Sequence, residues 1–335
     1  MTSGHVTSGD DLLSLIRSEI EGRGPLPFDR FMEIALYHPD LGYYCRPGDP
    51  FGVAGDYFTN SQLQPVFGRL IAREIARWQR ELGAGPEFTV VELGPGRGET
   101  AAEVRQCLPG VRYVEVERRA GRLPDRFTGV VFSNEFFDAL PVRVACSESD
   151  RWVERCVGWG SEGLEWADGG VVAPEMAQYL ERFVPRPAPG QVAEVNLEAL
   201  GWLERIAGSL ERGGVITIDY GYTSAEIAGG RRFPQGSLMS YLRHTASENV
   251  FAHPGEQDIT AHVNFTALEE RGSEWGLAAE PLRTQAQFLL SIGQGDEFRS
   301  ALGAASETQA QRHRALLKTL LFGMGETFQV LVQRK

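Results

Sequence analysis

The chain is short of several things, and each shortage removes a class of explanation. It holds 4 cysteines, Cys45, Cys107, Cys146 and Cys156, with no Cys-x-x-Cys pair and no histidine at ligand spacing. Neither a disulfide framework nor a metal site is therefore expected, and the thiols read as reduced. No apolar run approaches the roughly 18 residues of a membrane span, so no membrane-spanning segment is expected. Basic charge is also scarce: 33 Lys and Arg face 45 Asp and Glu, a net charge of −12. Nucleic acid and anionic lipid both demand a cationic face, and neither is an expected partner. An acidic chain suits instead a protein partner with a cationic segment. Residues 1–16 contain no Lys or Arg, which lacks the basic region of a signal peptide and the arginines of a presequence. The expectation is a cytoplasmic protein.

What is present is an ordinary globular composition over 335 residues, 42% hydrophobic, enough to bury a full core. Residues 12, 13, 16 and 20 are Leu, Leu, Ile and Ile, one helical face. A second helix is expected from about Phe28 to Tyr37, stopped by His38-Pro39, and a third over Gln64–Leu82. These place a helical cap over residues 1–85, with a Gly- and aromatic-rich loop inside it. From Phe88 the pattern turns to short β-branched runs separated by Gly or helical segments. Strands are expected at 88–93, 112–116, 129–133 and 215–220, continuous apolar runs of the kind buried on both faces of a parallel sheet. An α/β core over 86–335 follows, interrupted by insertions at about 142–190 and 222–265. The first insertion reads as an antiparallel hairpin over 142–172, followed by a helix at about 190–211. A helix at 265–275 and an alternating strand at 327–332, able to add to the sheet edge, complete the chain.

The most informative stretch is Val90–Thr100, VVELGPGRGET. A strand ends at Glu92, and Gly94, Gly96 and Gly98 form a turn whose missing side chains let a ligand approach the backbone ahead of a helix N-terminus. A dinucleotide fold wants its third glycine where Glu99 stands. Acidic-x-G-x-G-x-G is instead the pattern of methyltransferases that use S-adenosylmethionine. The Glu92 carboxylate also fits a cofactor bearing an ammonium and a sulfonium better than one bearing phosphates. Glu115 follows Glu92 by 23 residues, near the ~20-residue interval at which an acid grips a ribose hydroxyl pair; Glu117 is its rival on the same face. Asn134, Glu135 and Asp138 then stand at the end of a further strand, where open parallel sheets bind ligands. With Phe136 and Phe137 they outline a pocket for a cationic nucleophile.

Beyond these spacings, the stretches FMEIALYHPDLGYY (31–44), GDYFTNSQLQPVFGRLIA (55–72), VELGPGRGE (91–99), SNEFFDALPV (133–142), ITIDYGY (216–222), GSLMSYLRH (236–244) and HPGEQDITAHVNFTAL (253–268) resemble the MidA-like class I methyltransferases. That family includes a mitochondrial arginine methyltransferase needed for assembly of respiratory complex I. The resemblance implies a Rossmann-like, mostly parallel seven-strand sheet roofed by the N-terminal cap and the two insertions, with S-adenosyl-L-methionine as cofactor and a protein arginine as acceptor. Carried over by residue, Glu92, Gly94, Pro95, Gly96 and Gly98 hold the methionine part and Glu115 the ribose, with Thr59 and Asn134 alongside. Asn134, Glu135, Asp138 and Asp258 form the catalytic set. Asp56, Asp219, Tyr220, His253 and His262 line the cleft.

One departure matters. Only 19 residues separate Glu115 from Asn134, where such enzymes ordinarily fit a helix, a third strand and its return. That strand is expected to be shortened or absent, with a lost adenine contact worth about a hundredfold in affinity. This leaves two rivals to a protein arginine methyltransferase: a non-catalytic assembly chaperone on a degraded cofactor site, and a small-molecule O- or N-methyltransferase.

Overall fold

The computed structural model describes residues 8–45, 60, 63–148, 151–184, 187–228 and 232–335. The chain divides into two compact units, one of residues 1–58, 139–199 and 223–262, the other of residues 59–138, 200–222 and 263–335. These boundaries differ from a 1–85 cap on an 86–335 core. Helix Val66–Leu82 packs in the same unit as the central sheet, and the two interruptions of the core belong with the N-terminal helices.

In the first unit, helices Ser8–Arg23 and Phe28–Tyr37 bury Leu12, Ile16, Phe28 and Phe31 in a cluster that also holds Val144, Val157 and Ile259. The second helix ends at His38, whose extended backbone is set by the proline that follows. Residues 143–171 form three antiparallel strands, Arg143–Glu148, Arg151–Gly160 and Gly163–Val171, one more than the expected hairpin. A short strand, Val192–Val195, pairs with Arg143–Cys146, so the helix read at 190–211 begins only at Leu197. Its β-branched Val192 and Val195 are buried, and pairing with a neighbouring strand outweighs a helical periodicity that spans a single turn.

In the second unit the sheet runs Ala278–Ala279, Phe328–Arg334, Leu210–Tyr222, Phe127–Asn134, Thr89–Leu93, Arg112–Val116. The last four strands are parallel. Phe328–Arg334 lies antiparallel to Leu210–Tyr222 and inside the sheet, with Ala278–Ala279 and Arg283–Thr284 on its outer side, where the sequence had suggested an edge. All five residues of Thr89–Leu93 are buried, as a strand covered on both faces requires. Helix Val66–Leu82 lays Phe67, Leu70, Ile71, Ile75 and Trp78 on one face among Phe132, Ile216 and Val330. It stops at Gly83, which is left-handed at φ 59°. Beyond Arg112–Val116 the sheet goes no further: residues 117–126 are described and form no strand. Among the described residues no helix is long and apolar enough to cross a membrane.

Candidate functional site

The glycine loop stands at the carboxyl end of the parallel strands of the second unit. Gly94, Gly96 and Gly98 have φ of 63°, 54° and 70°, a left-handed conformation that costs an L-residue about 1–2 kcal/mol. At Gly94 the demand is steric as well: a Cβ would lie 2.9 Å from Cδ2 of Phe136. The loop is tied down where the Gly94 N–H donates to the Val116 carbonyl at 3.0 Å and the Gly98 N–H to the Pro95 carbonyl at 2.9 Å. Helix Glu99–Cys107 begins directly after it, with its first N–H groups at the loop.

Three acids surround this loop. Glu92 is 4% exposed and accepts a hydrogen bond from the Tyr113 hydroxyl at 2.9 Å. Burial pushes its carboxyl up to about 7, against the lowering effect of that bond. Burial, with the Glu92 charge beside it, likewise holds the Tyr113 hydroxyl well above its ordinary range. Glu117 accepts the Gly96 N–H at 3.2 Å. Glu115 pairs with Arg105 at 2.6 Å, and its Oε2 lies 3.4 Å from where a Gly98 Cβ would be. Both rivals for the ribose therefore stand on the loop, Glu117 against its middle and Glu115 against its end.

The Glu92 shift carries a stability consequence. A carboxyl whose folded pKa is raised stabilises the fold below its unfolded pKa, and that contribution is lost as pH climbs through the folded value. Here the loss spans the interval from 4.5 to about 7, worth on the order of 3 kcal/mol at about 1.4 kcal/mol per pH unit. Glu92→Gln is expected to flatten the decline in urea-unfolding free energy between about pH 5 and 8. A wild-type slope in the variant would show that Glu92 is not the titrating group.

The second cluster begins where Phe127–Asn134 ends. Asn134 donates through Nδ2 to Glu135 Oε1 at 2.7 Å, and the Asn60 N–H donates to the same oxygen at 3.2 Å. Asn60 Nδ2 donates to Asn134 Oδ1 at 2.9 Å and to Gln285 Oε1 at 2.7 Å, while Gln285 Nε2 returns a bond to Asn60 Oδ1 at 3.0 Å. Asn60 and Gln285 are both fully buried. Glu135 sits at φ 53°, a conformation rare outside glycine that the surrounding bonds hold in place, among them its own N–H to the Ile218 carbonyl at 3.0 Å. Beneath this turn, buried Asp219 accepts the Phe137 N–H at 2.9 Å and the Tyr220 N–H at 2.8 Å. Burial raises the Asp219 carboxyl well above the usual range despite the Phe137 bond, and the Glu135 charge adds to the rise. Asp138 is buried on the same turn.

The structure thus gathers Glu92, Gly94, Pro95, Gly96, Gly98, Glu115, Asn134, Glu135 and Asp138 in one unit. Asp258 belongs to the other unit, where its Oδ1 accepts the Tyr44 hydroxyl at 2.7 Å and the Ile259 N–H at 2.9 Å. There it opens the short strand Asp258–Thr260 and ties it to Tyr44, 214 residues away in the chain. His262 lies in that unit too, its N–H on Ser237 Oγ at 3.0 Å and its ring against Phe233, with burial lowering its pKa to about 4. Asp56 and Thr59 fall outside the described residues. Asn60, Gln285 and Tyr113 were not among the residues the sequence pointed to. Asn60 lies within the quoted 55–72 stretch, whereas nothing local marks Gln285.

The residues present fit the cofactor that the glycine spacing implies. A Cβ at Gly94 would fill the turn, the flanking arginines Arg97 and Arg105 are each paired with a glutamate, and the acids at the end of Arg112–Val116 reach the loop. Comparison with known proteins agrees. A family model for S-adenosyl-L-methionine-dependent methyltransferases matches residues 106–281. A crystal structure of a Burkholderia thailandensis protein bound to S-adenosyl-homocysteine superimposes with a TM-score of 0.87 at 31% identity, covering 98% of this chain and 92% of that one. The "Protein arginine methyltransferase NDUFAF7 homolog, mitochondrial" of Drosophila melanogaster is 28% identical, over 81% of this chain and 72% of its own length. "Protein arginine methyltransferase NDUFAF7, mitochondrial" of Homo sapiens is 25% identical, over 98% and 85%. These relatives are mitochondrial by name, which overturns the expectation of a cytoplasmic protein drawn from first residues without Lys or Arg.

Proposed function

The chain belongs to the S-adenosyl-L-methionine-dependent methyltransferase family, and from that premise we propose that its acceptor is an arginine side chain of a protein. The observation that carries this reading is the oriented carboxylate of Glu135, held in a strained backbone at the carboxyl end of the sheet with a second buried acid, Asp138, three residues on. The names of the curated relatives support the same acceptor, and the net charge of −12 suits a cationic protein segment.

When bound, the cofactor supplies a methyl group on a sulfonium. This chain's own residues then have two tasks. Glu92 and the loop glycines hold the methionine part, with Glu115 or Glu117 on the ribose. Glu135 and Asp138 grip a guanidinium that starts charged, orienting one nitrogen for in-line attack by charge-assisted hydrogen bonds. The Glu135 carboxylate would take up the proton that the attacking guanidinium nitrogen gives up on gaining the methyl group. Positioning and electrostatics carry such a reaction, since the leaving thioether is neutral.

The test is tritiated S-adenosylmethionine added, with the purified chain, to lysate from a strain lacking it. A labelled protein band that yields methylarginine on hydrolysis is expected. Label confined to small molecules would move the acceptor out of the protein class, and no label together with no saturable S-adenosyl-homocysteine binding would favour the chaperone.

A further inference from the structure

A cavity opens in the sheet-bearing unit, at the end of the sheet away from the glycine loop. Arg334 pairs in register with Gly214, near the amino end of Leu210–Tyr222, whereas the loop follows the carboxyl end of Thr89–Leu93, a parallel strand two places along the same sheet. The cavity has a volume of about 430 Å³, within the size range of small-molecule sites. Five arginines line it, Arg73, Arg77, Arg80, Arg283 and Arg334, against two glutamates, Glu74 and Glu280. In a chain of net charge −12, this is a local inversion of sign.

Its order is built in. Arg73, Arg77 and Arg80 recur at helical spacing along one face of Val66–Leu82. Arg334 lies over the Trp78 ring at 4.1 Å, Arg77 over the same ring at 5.4 Å, and Arg283 over Phe288 at 5.4 Å. The nearby carboxylates are divided: Glu280 serves Arg283 at 3.2 Å and Arg334 at 2.7 Å, Glu81 serves Arg77 and Arg334, and buried Glu74 holds Arg77 with both oxygens. Arg73 pairs with Asp296. Arg80 is exposed and makes no ion pair among the described residues. Each guanidinium offers five N–H donors in a planar fork, so carboxylates divided in this way leave donors unmatched. Stacking and shared ion pairs fix the forks in advance, which lowers the entropy cost of binding.

The geometry points to a binding site for a small polyanion bearing a chain of phosphate groups, separate from the site of methyl transfer. Such a chain presents oxygens at spacings that several guanidiniums can bracket at once, with charge-assisted, bidentate bonds. Two sources share that chemistry, an inorganic polyphosphate and the tail of a nucleoside triphosphate.

Calorimetric titration of the full chain with sodium tripolyphosphate, and separately with ATP, tests it. Saturable one-to-one binding of tripolyphosphate is expected, weakened about tenfold or more in Arg80→Gln/Arg283→Gln, since each lost charge-assisted contact is worth about 1.4 kcal/mol or more. Titration of S-adenosyl-homocysteine into the same variant is expected to be unchanged, which also shows that it is folded. Arg80→Gln alone, at an exposed position without an ion pair, provides a milder variant with a smaller loss. ATP binding about as tight as tripolyphosphate assigns the site to the phosphate chain alone, and tighter ATP binding extends it to the nucleoside. No saturable binding of tripolyphosphate up to about 1 mM, or equal binding by the double variant, overturns the proposal.

Discussion

Gly94→Val is expected to weaken S-adenosyl-homocysteine binding by about a hundredfold or more, the equivalent of roughly 3 kcal/mol. Two costs combine. At φ 63° a β-branched residue is a genuine outlier, at about 1–2 kcal/mol for the backbone alone. The new Cβ also meets Phe136 at 2.9 Å. That ring does not yield freely, because it packs edge-on against Phe137 at 5.4 Å and Trp202 at 5.1 Å. The loop must shift instead, and the surface it offers a ligand shifts with it. Gly110→Ala provides the control. Gly110 has φ 91° but nothing within 4 Å of its added Cβ, so it pays the backbone cost, about 1 kcal/mol, and keeps cofactor affinity. Calorimetry on both variants decides the matter. Near-wild-type affinity in Gly94→Val would mean that the loop is not the cradle.

Much of this site was legible in the sequence because its chemistry is local. Glu92, the three glycines and the helix after them are contiguous, and the strand before them reads as a continuous apolar run because both its faces are covered. The same holds for Asn134 to Asp138. The missing strand after Val116 was legible as a length: a 19-residue interval has no room for it. What escaped depends on partners remote in the chain. The bond between Asn60 and Gln285 spans 225 residues, and a glutamine opening a helix carries no sign that its amide closes a polar network. The periodicity of Val66–Leu82 identifies a helix and its buried face but not what covers that face, so it was read into an N-terminal cap although it packs in the sheet unit. Val192–Val195 failed for a related reason, since four residues are too few for either period to show and their pairing with Arg143–Cys146 decides. Asp258 entered through family resemblance alone, and in its own unit it accepts the Tyr44 hydroxyl and the Ile259 N–H, partners that no local spacing announces.

Glu135→Gln separates catalysis from binding more sharply than any other single change. The variant is isosteric, and a glutamine carbonyl in place of Oε1 still accepts from Asn134 Nδ2 and the Asn60 N–H. The strained turn and the network reaching Gln285 are therefore retained. What disappears is one negative charge. If that charge orients a guanidinium and takes up its departing proton, kcat falls by about 100-fold to 1,000-fold, the scale seen when one preorganised electrostatic group is removed. Cofactor affinity, which rests on the glycine loop and its acids, is expected to stay within about twofold. A purely structural role would show itself differently, through a lowered Tm and impaired binding together. The charge also has an independent witness in Asp219, whose carboxyl is raised by burial and further by Glu135. Removing the Glu135 charge lowers the Asp219 pKa, and a carboxyl-selective NMR titration records that shift without any turnover. The combination expected is lost methylation, retained S-adenosyl-homocysteine binding and an Asp219 titration moved to lower pH. Wild-type turnover would remove Glu135 from catalysis whatever happens at Asp219, whereas lost turnover with Asp219 unmoved would show that the Glu135 charge does not reach the carboxyl beneath its turn.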